Sequence, residues 1–164
     1  MKKNLFMGVD PGGSGCFAIL DREGKFVDQI RMDETLLDIG KKLRSYRRDI
    51  AFAVIEQVNG GKFGSGPICP VCHKPRFQQG IQSAFKFGDS FGLQRGMVIV
   101  CNIRHEYVRP ADWQKVMGCR TKGDKNVSKA AAQRLFPETK IIHINADSLL
   151  IAEYARRLGL ERGW

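Results

Sequence analysis

Three acids stand where a folded chain could gather them. Asp10 closes one apolar run, Glu56 closes another, and Asp147 leads a third apolar segment. Carboxylates brought together repel one another unless a hard cation neutralises them, and Mg2+ or Mn2+ on oxygen ligands is the usual solution. Two such ions in a carboxylate site activate water and hold a phosphodiester for in-line displacement. Each acid also has a plainer reading as a turn former or helix cap, and Asp147 suits an N-cap. Their joint placement in a chain of net charge +10 favours the metal reading. Asp10 is the strongest of the three, because Pro11-Gly12-Gly13-Ser14-Gly15 after it leaves the carboxylate open to a large ligand.

The elements that must position these acids follow from the hydrophobic period. Leu5 to Asp10 reads as a buried strand. Cys16 to Leu20 and Lys25 to Ile30 flank the turn Asp21-Arg22-Glu23-Gly24, which makes a three-strand meander. From Asp33, a possible cap, the period becomes helical, with Leu36, Leu37, Ile39 and Leu43 on one face. Lys41, Lys42, Arg44, Arg47 and Arg48 suit the end of that helix and read as a solvated face. Ile50 to Ile55 is a continuous apolar run, the pattern of a central strand, ending in Glu56.

Residues 59–80 are rich in glycine and proline and predict a long irregular insertion. Beyond it the pattern predicts a helix over Ile81 to Arg95 and a strand over Met97 to Cys101. A helix from Ala111 to Met117 is opened by Pro110, and a basic linker runs from Arg120 to Lys129. Val127 to Phe136 is a helix stopped by Pro137, and Asp147 opens the last, amphipathic helix. A meander followed by alternating strands and helices implies an α/β fold, one mixed sheet flanked by helices. The 164 residues suit a single domain, 1–164, with its insertion at about 59–80.

With 27 Lys and Arg against 17 Asp and Glu, the chain favours a polyanionic partner, nucleic acid first, although a basic balance alone is common in small proteins. No apolar stretch has the length of a membrane span, and the start lacks the core and cleavage site of a signal peptide. Five cysteines with a single close pair argue against a disulfide framework and for a reducing compartment, the cytoplasm. That pair, in Cys69-Pro70-Val71-Cys72-His73, has the spacing of a zinc knuckle but supplies half of the four ligands structural Zn2+ needs. Cys101, His105, Cys119 or a second subunit could complete it, and unpaired loop thiols are the alternative.

Several segments, in this order, resemble the RuvC Holliday-junction resolvases: Gly8-Val9-Asp10-Pro11-Gly12, Ile55-Glu56-Gln57-Val58, Gly92-Leu93-Gln94-Arg95-Gly96 and Ala146-Asp147-Ser148-Leu149-Leu150-Ile151-Ala152. Pro110-Ala111-Asp112-Trp113-Gln114-Lys115, with Lys125 to Lys129 and Leu135-Phe136-Pro137, resembles the phage-type branch. The resemblance covers nearly the whole chain. It implies a ribonuclease H-like fold, a homodimer, a two-metal Mg2+ or Mn2+ site and paired nicks across a four-way DNA junction. It also implies service in DNA recombination and repair, in a bacterial cytoplasm or, for a phage-encoded protein, the host's.

The family usually offers a fourth acid shortly before its last motif, and this chain reads Ile142-His143-Ile144-Asn145-Ala146-Asp147 there. His143, four residues before Asp147, is the candidate for that place as metal ligand or proton carrier; the plainer reading is a surface histidine. An imidazole among carboxylates would shift preference towards Mn2+. In the resemblance the insertion follows Glu56 and overhangs the site. Lys62, Phe63, Lys74, Arg76 and Phe77 are then DNA-facing, with Phe63 or Phe77 stacking on unpaired bases or anchoring the loop locally. Arg120, Lys122, Lys125 and Lys129 are candidates for backbone phosphates. Three other readings remain. A non-catalytic basic nucleic-acid-binding module would use the acids as caps, and a ribonuclease H-like nuclease would act on RNA–DNA hybrid or other branched DNA. Acetate-kinase and actin-like ATPases share the glycine turn, but this length leaves no room for their second domain.

Overall fold

The computed structural model describes residues 4–57, 69–73, 81–120 and 124–164. Strands β1 (Leu5–Asp10), β2 (Cys16–Leu20) and β3 (Phe26–Arg31) form the expected antiparallel meander, and α1 (Leu36–Tyr46) leads to β4 (Ile50–Glu56). Then come α2 (Ile81–Val100), β5 (His105–Val108), α3 (Pro110–Val116), α4 (Lys125–Leu135) and α5 (His143–Glu161). The five strands lie in one mixed sheet, ordered β3-β2-β1-β4-β5, in which β1 pairs in parallel with β4, and β4 with β5. β1 and β4 are apolar at nearly every position because both of their faces are covered.

One face packs against α3, α4 and α5. Phe6, Phe52 and Val54 meet Trp113, Ala132, Leu149 and Ala152 there. The other face packs against α1 and α2, where Met7, Val9 and Ile55 share a cluster with Ile39, Leu43 and Val98. Among the described residues no helix is long and apolar enough to cross a membrane.

Four expectations are corrected. Asp33 does not cap α1; Thr35 does, its Oγ1 accepting from the Asp38 N–H at 3.2 Å, while Asp33 pairs with Arg31. Only Ile39 and Leu43, one turn apart, are buried on α1, and Leu36 and Leu37 are exposed. No strand forms over Met97 to Cys101. α2 runs through Gly96 to Val100 and stops at Asn102, which takes a left-handed φ of 53°. Of that apolar run Val98 alone is deeply buried, as helical spacing requires, so tertiary packing overrides the local β preference of the run. The fifth strand is instead the short segment His105–Val108, whose middle residues Glu106 and Tyr107 are exposed. Finally, α4 begins at Lys125 with Asp124 as its cap, so Lys125 and Lys129 belong to a helix and not to a linker.

Candidate active site

Strand register carries two of the acids to one end of the sheet. Val9 lies opposite Ile55 in the parallel β1–β4 pair, and Asp10 and Glu56 are the next residue on each strand. Strand alternation puts Asp10 on the face of Phe6 and Gly8, and Glu56 on the face of Phe52 and Val54. That is the face covered by α5.

Gly8 brings the third acid in. A Cβ at Gly8 would overlap the α5 backbone at Ser148 O and Ala152 N, so the missing side chain lets that helix lie directly on β1. Asp147 immediately precedes Ser148, and the crossing therefore sets it beside Asp10. The charges register this closeness. Asp10 is held well above the usual carboxylate range, chiefly by burial and then by the charges of Glu56 and Asp147. Burial also pushes Glu56 up to about 7 and raises Asp147.

Asp147 does not open α5. The helix starts at His143, and its first turn is secured by Asn145, whose Oδ1 accepts from the Ile142 N–H at 2.8 Å. The Asn145 amide donates in turn to Gln29 Oε1 and to Lys140 O. Asp147 sits in the second turn, so capping does not explain it. His143 is exposed, one turn ahead on the same side of the helix, and its charge lowers the pKa of Asp147.

Two neighbours were not legible as partners of the acids. Trp113, fully buried on α3, donates its Nε1–H to Glu56 Oε2 at 2.7 Å and holds that carboxylate in place. Lys125, on the first turn of α4, lowers the pKa of both Asp10 and Asp147. The Trp-Gln-Lys segment stood out only through family resemblance, and nothing in its spacing shows that the indole reaches a residue 57 positions earlier. Cys16, paired with Asp10 across the meander, and Cys119 are buried thiols raised to about 11, which leaves them neutral beside the acids.

The turn after β1 is closed by a bond from the Gly15 N–H to Gly12 O, with Gly12 at a φ of 149°. A Cβ on Gly15 would overlap Asp10 O, Gly12 O and Gln94 Nε2. Gln94 is fully buried on α2, with neither polar atom of its amide hydrogen-bonded among the described residues.

Of the remaining candidates, Arg120 is exposed just past α3 and Lys129 is half-buried in α4. Lys62, Phe63, Lys74, Arg76, Phe77 and Lys122 lie outside the described residues. Cys69 and Cys72 form a turn of their own, away from any third potential ligand.

Among the described residues no three His, Cys, Asp or Glu side chains are gathered closely enough to hold a metal ion as they stand. The donor set nevertheless suits a hard divalent cation. Three half-buried, mutually repelling acids offer only oxygen, and among the described residues the shielded Asp147 Oδ1 has no hydrogen-bond partner. A cation would relieve both conditions.

No protein-family model and no curated protein matches the sequence. The fold does have solved relatives. Thermus thermophilus RuvC in complex with a Holliday junction substrate superposes with a TM-score of 0.60 at 11% identity, over 98% of this chain and 96% of that one. A second Thermus thermophilus RuvC structure gives 0.61 at 12% identity, over 97% and 96%. At such identities the likeness is one of fold, and this chain has the RuvC, ribonuclease H-like fold.

Proposed function

We propose that this chain is a divalent-metal-dependent DNA endonuclease that resolves four-way junctions as a homodimer, of the phage-type branch of RuvC-like enzymes. The observation that carries the reading is the half-buried placement of Asp10, Glu56 and Asp147 within reach of one another's charge, at one end of a sheet that shares its fold with a junction-bound RuvC. Asp10, Glu56 and Asp147 would hold Mg2+ or Mn2+, with His143 in the fourth place. The ion supplies Lewis-acid stabilisation for charge that develops on the phosphate.

The chain's own residues do the rest. Trp113 fixes the rotamer of Glu56 through its indole N–H. α5, seated on Gly8, fixes the distance between Asp147 and β1. Glu56 is raised to about 7 in the metal-free chain, and a cation held by its carboxylate would favour the ionised form. Lys125 adds positive charge beside the acids, where a scissile phosphate would sit. Arg120, Lys122 and Lys129 take flanking phosphates, and Phe63 or Phe77 stacks on a base opened at the junction centre.

The homodimer is supported by the outer side of α2. Gly88, Gly92 and Gly96 recur at helical spacing, a Cβ on any of them would have nothing within 4 Å among the described residues, and Phe85, Ile99 and Val100 are exposed. A groove of about 410 Å³ between α1 and α2 is lined by Leu43, Leu93, Met97 and Val100. Apolar surface of this kind suits an interface between copies. The proposed setting is the cytoplasm, with residues 1–164 acting as one domain.

The test is a labelled four-way junction, a linear duplex and an RNA–DNA hybrid, each incubated with the protein in Mg2+ and in Mn2+. Paired symmetric nicks confined to the junction are expected. Preferred cleavage of the hybrid would make the protein a ribonuclease H-like enzyme of other specificity. Binding without cleavage in either metal would make it a non-catalytic module.

A further inference from the structure

The turn Cys69-Pro70-Val71-Cys72-His73 plays no part in the proposed cleavage, yet it is shaped for chemistry of its own. The His73 N–H donates to Cys69 O at 2.9 Å, which closes the five residues into one turn. The Cys69 thiol is held below its usual range, chiefly by the backbone N–H of Cys72, then by that of Val71 and by the Cys72 thiol. His73 takes a left-handed φ of 52°, an uncommon conformation for a residue with a side chain, so the chain turns away directly after the second cysteine. Cys69 is half-exposed and Cys72 exposed. Two accessible thiols carried on one hydrogen-bonded turn, with the spacing of a zinc knuckle, form a preorganised pair for a thiophilic ion.

The donor inventory says where the other ligands must come from. Every Cys, His, Asp and Glu of the chain lies within the described residues. No third such side chain stands with the pair. Cys16 and Cys119 are sealed in the core. Cys101 closes the groove between α1 and α2, and His105 Nδ1 is bonded to Ile103 O at 2.9 Å. His143 stands beside Asp147. One copy of the chain therefore offers two ligands, and structural zinc needs four.

We propose that Cys69 and Cys72 are half of a Zn2+ site whose other half is the same two cysteines of a second copy. One ion then bridges two chains through four thiolates and displaces four thiol protons as it binds. The two kinds of metal sort by ligand chemistry, the soft ion to sulfur and the hard one to the carboxylates. This inference does not depend on the nuclease reading.

The test is metal analysis of the intact protein, purified with a non-thiol reductant and washed in excess Mg2+ to clear the carboxylates. About one zinc per two chains is expected, as a four-ligand site shared by two Cys pairs requires. Co2+ exchanged for it should give the intense thiolate-to-cobalt absorption of a four-sulfur tetrahedral site. Cys69→Ser and Cys72→Ser should each abolish both signals, His73→Ala should leave them unchanged, and Cys72→His should recover metal with a weaker thiolate band. Zinc retained in both serine variants, one zinc per chain on a monomer, a Cys69–Cys72 disulfide in the freshly purified protein, or no tightly held metal would each overturn the proposal.

Discussion

On the face of the sheet that carries α3, α4 and α5, packing is closed over a set of acids: Trp113 is fully buried and spends its N–H on Glu56, and α5 lies against a bare glycine. On the opposite face, α1 and α2 bury Ile39, Leu43 and Val98 but leave Phe85, Ile99 and Val100 in solvent. The two faces thus differ in what their apolar residues do. One side buries surface to force like charges together, at a cost visible in three raised carboxyl groups. The other withholds surface, which is what an interface does. A rigid site on the first side and an open surface on the second is the division that the proposed homodimeric nuclease requires.

The sharpest way to break the first face is at Gly8. Gly8→Val would drive a side chain into the α5 backbone, which has no alternative path across β1. We expect loss of the folded protein, beyond the ~4–5 kcal/mol that marks the severe end of point mutations, read by circular dichroism and thermal melting. A soluble variant with a wild-type melting temperature would show that α5 is not held where it crosses β1.

Next in size is the pH dependence that the half-buried acids impose. Glu56 shifts from its ordinary 4.5 to about 7, so between these values the folded protein binds more protons than the unfolded chain. The stability Glu56 contributes to the metal-free protein is therefore fully present below pH 4.5 and is lost as pH rises towards 7, with Asp10 and Asp147 acting in the same direction; Glu153, lowered by its bonds to Arg156 and Arg157, acts in the opposite direction at lower pH. The contribution from Glu56 is no more than about 3 kcal/mol. Melting in EDTA across this range should show the decline, Glu56→Gln should flatten it, and excess Mg2+ should reverse it. A melting temperature that climbs through the same window would contradict the placement of the acids.

Trp113→Phe keeps an aromatic ring in the core and removes the bond to Glu56. A loss of about 10- to 100-fold in divalent-metal affinity is expected, the range for groups that orient a metal ligand. Calorimetric titration of Mn2+ into the folded variant measures it, and unchanged affinity would reduce the indole to packing alone. The smallest effect is at His143. His143→Ala should lower cleavage several-fold more in Mn2+ than in Mg2+, since removing an imidazole costs most with the ion that favours nitrogen. Equal loss in both metals, or none, would return His143 to an exposed surface residue.

How much of this was legible in sequence follows the same division. The bounds of β1, β2 and β4 could be read from apolar runs ending in charge or glycine, because strands covered on both faces carry their own signal. Asp10 and Glu56 were legible for that reason. α2 was misread at Gly96 and beyond, because valine and isoleucine favour strands locally while the burial of Val98 is fixed by a distant partner, α1. β5 was missed because a short edge strand with exposed Glu106 and Tyr107 has no alternation to read. Asp147 is legible as a candidate, but its place inside a helix beside Asp10 depends on Gly8, a contact no local pattern announces. Trp113 and Gln94 belong to the same class. Their importance lies in what they meet across the fold.

The central claim is that Asp10, Glu56 and Asp147 form one cutting site, and it is tested most directly by Asp10→Asn on a labelled four-way junction in Mg2+. The account predicts junction binding close to wild type, with cleavage reduced by more than the ~100-fold upper figure for outer-shell changes at metal sites. Cleavage by Asp10→Asn at the wild-type rate would contradict it.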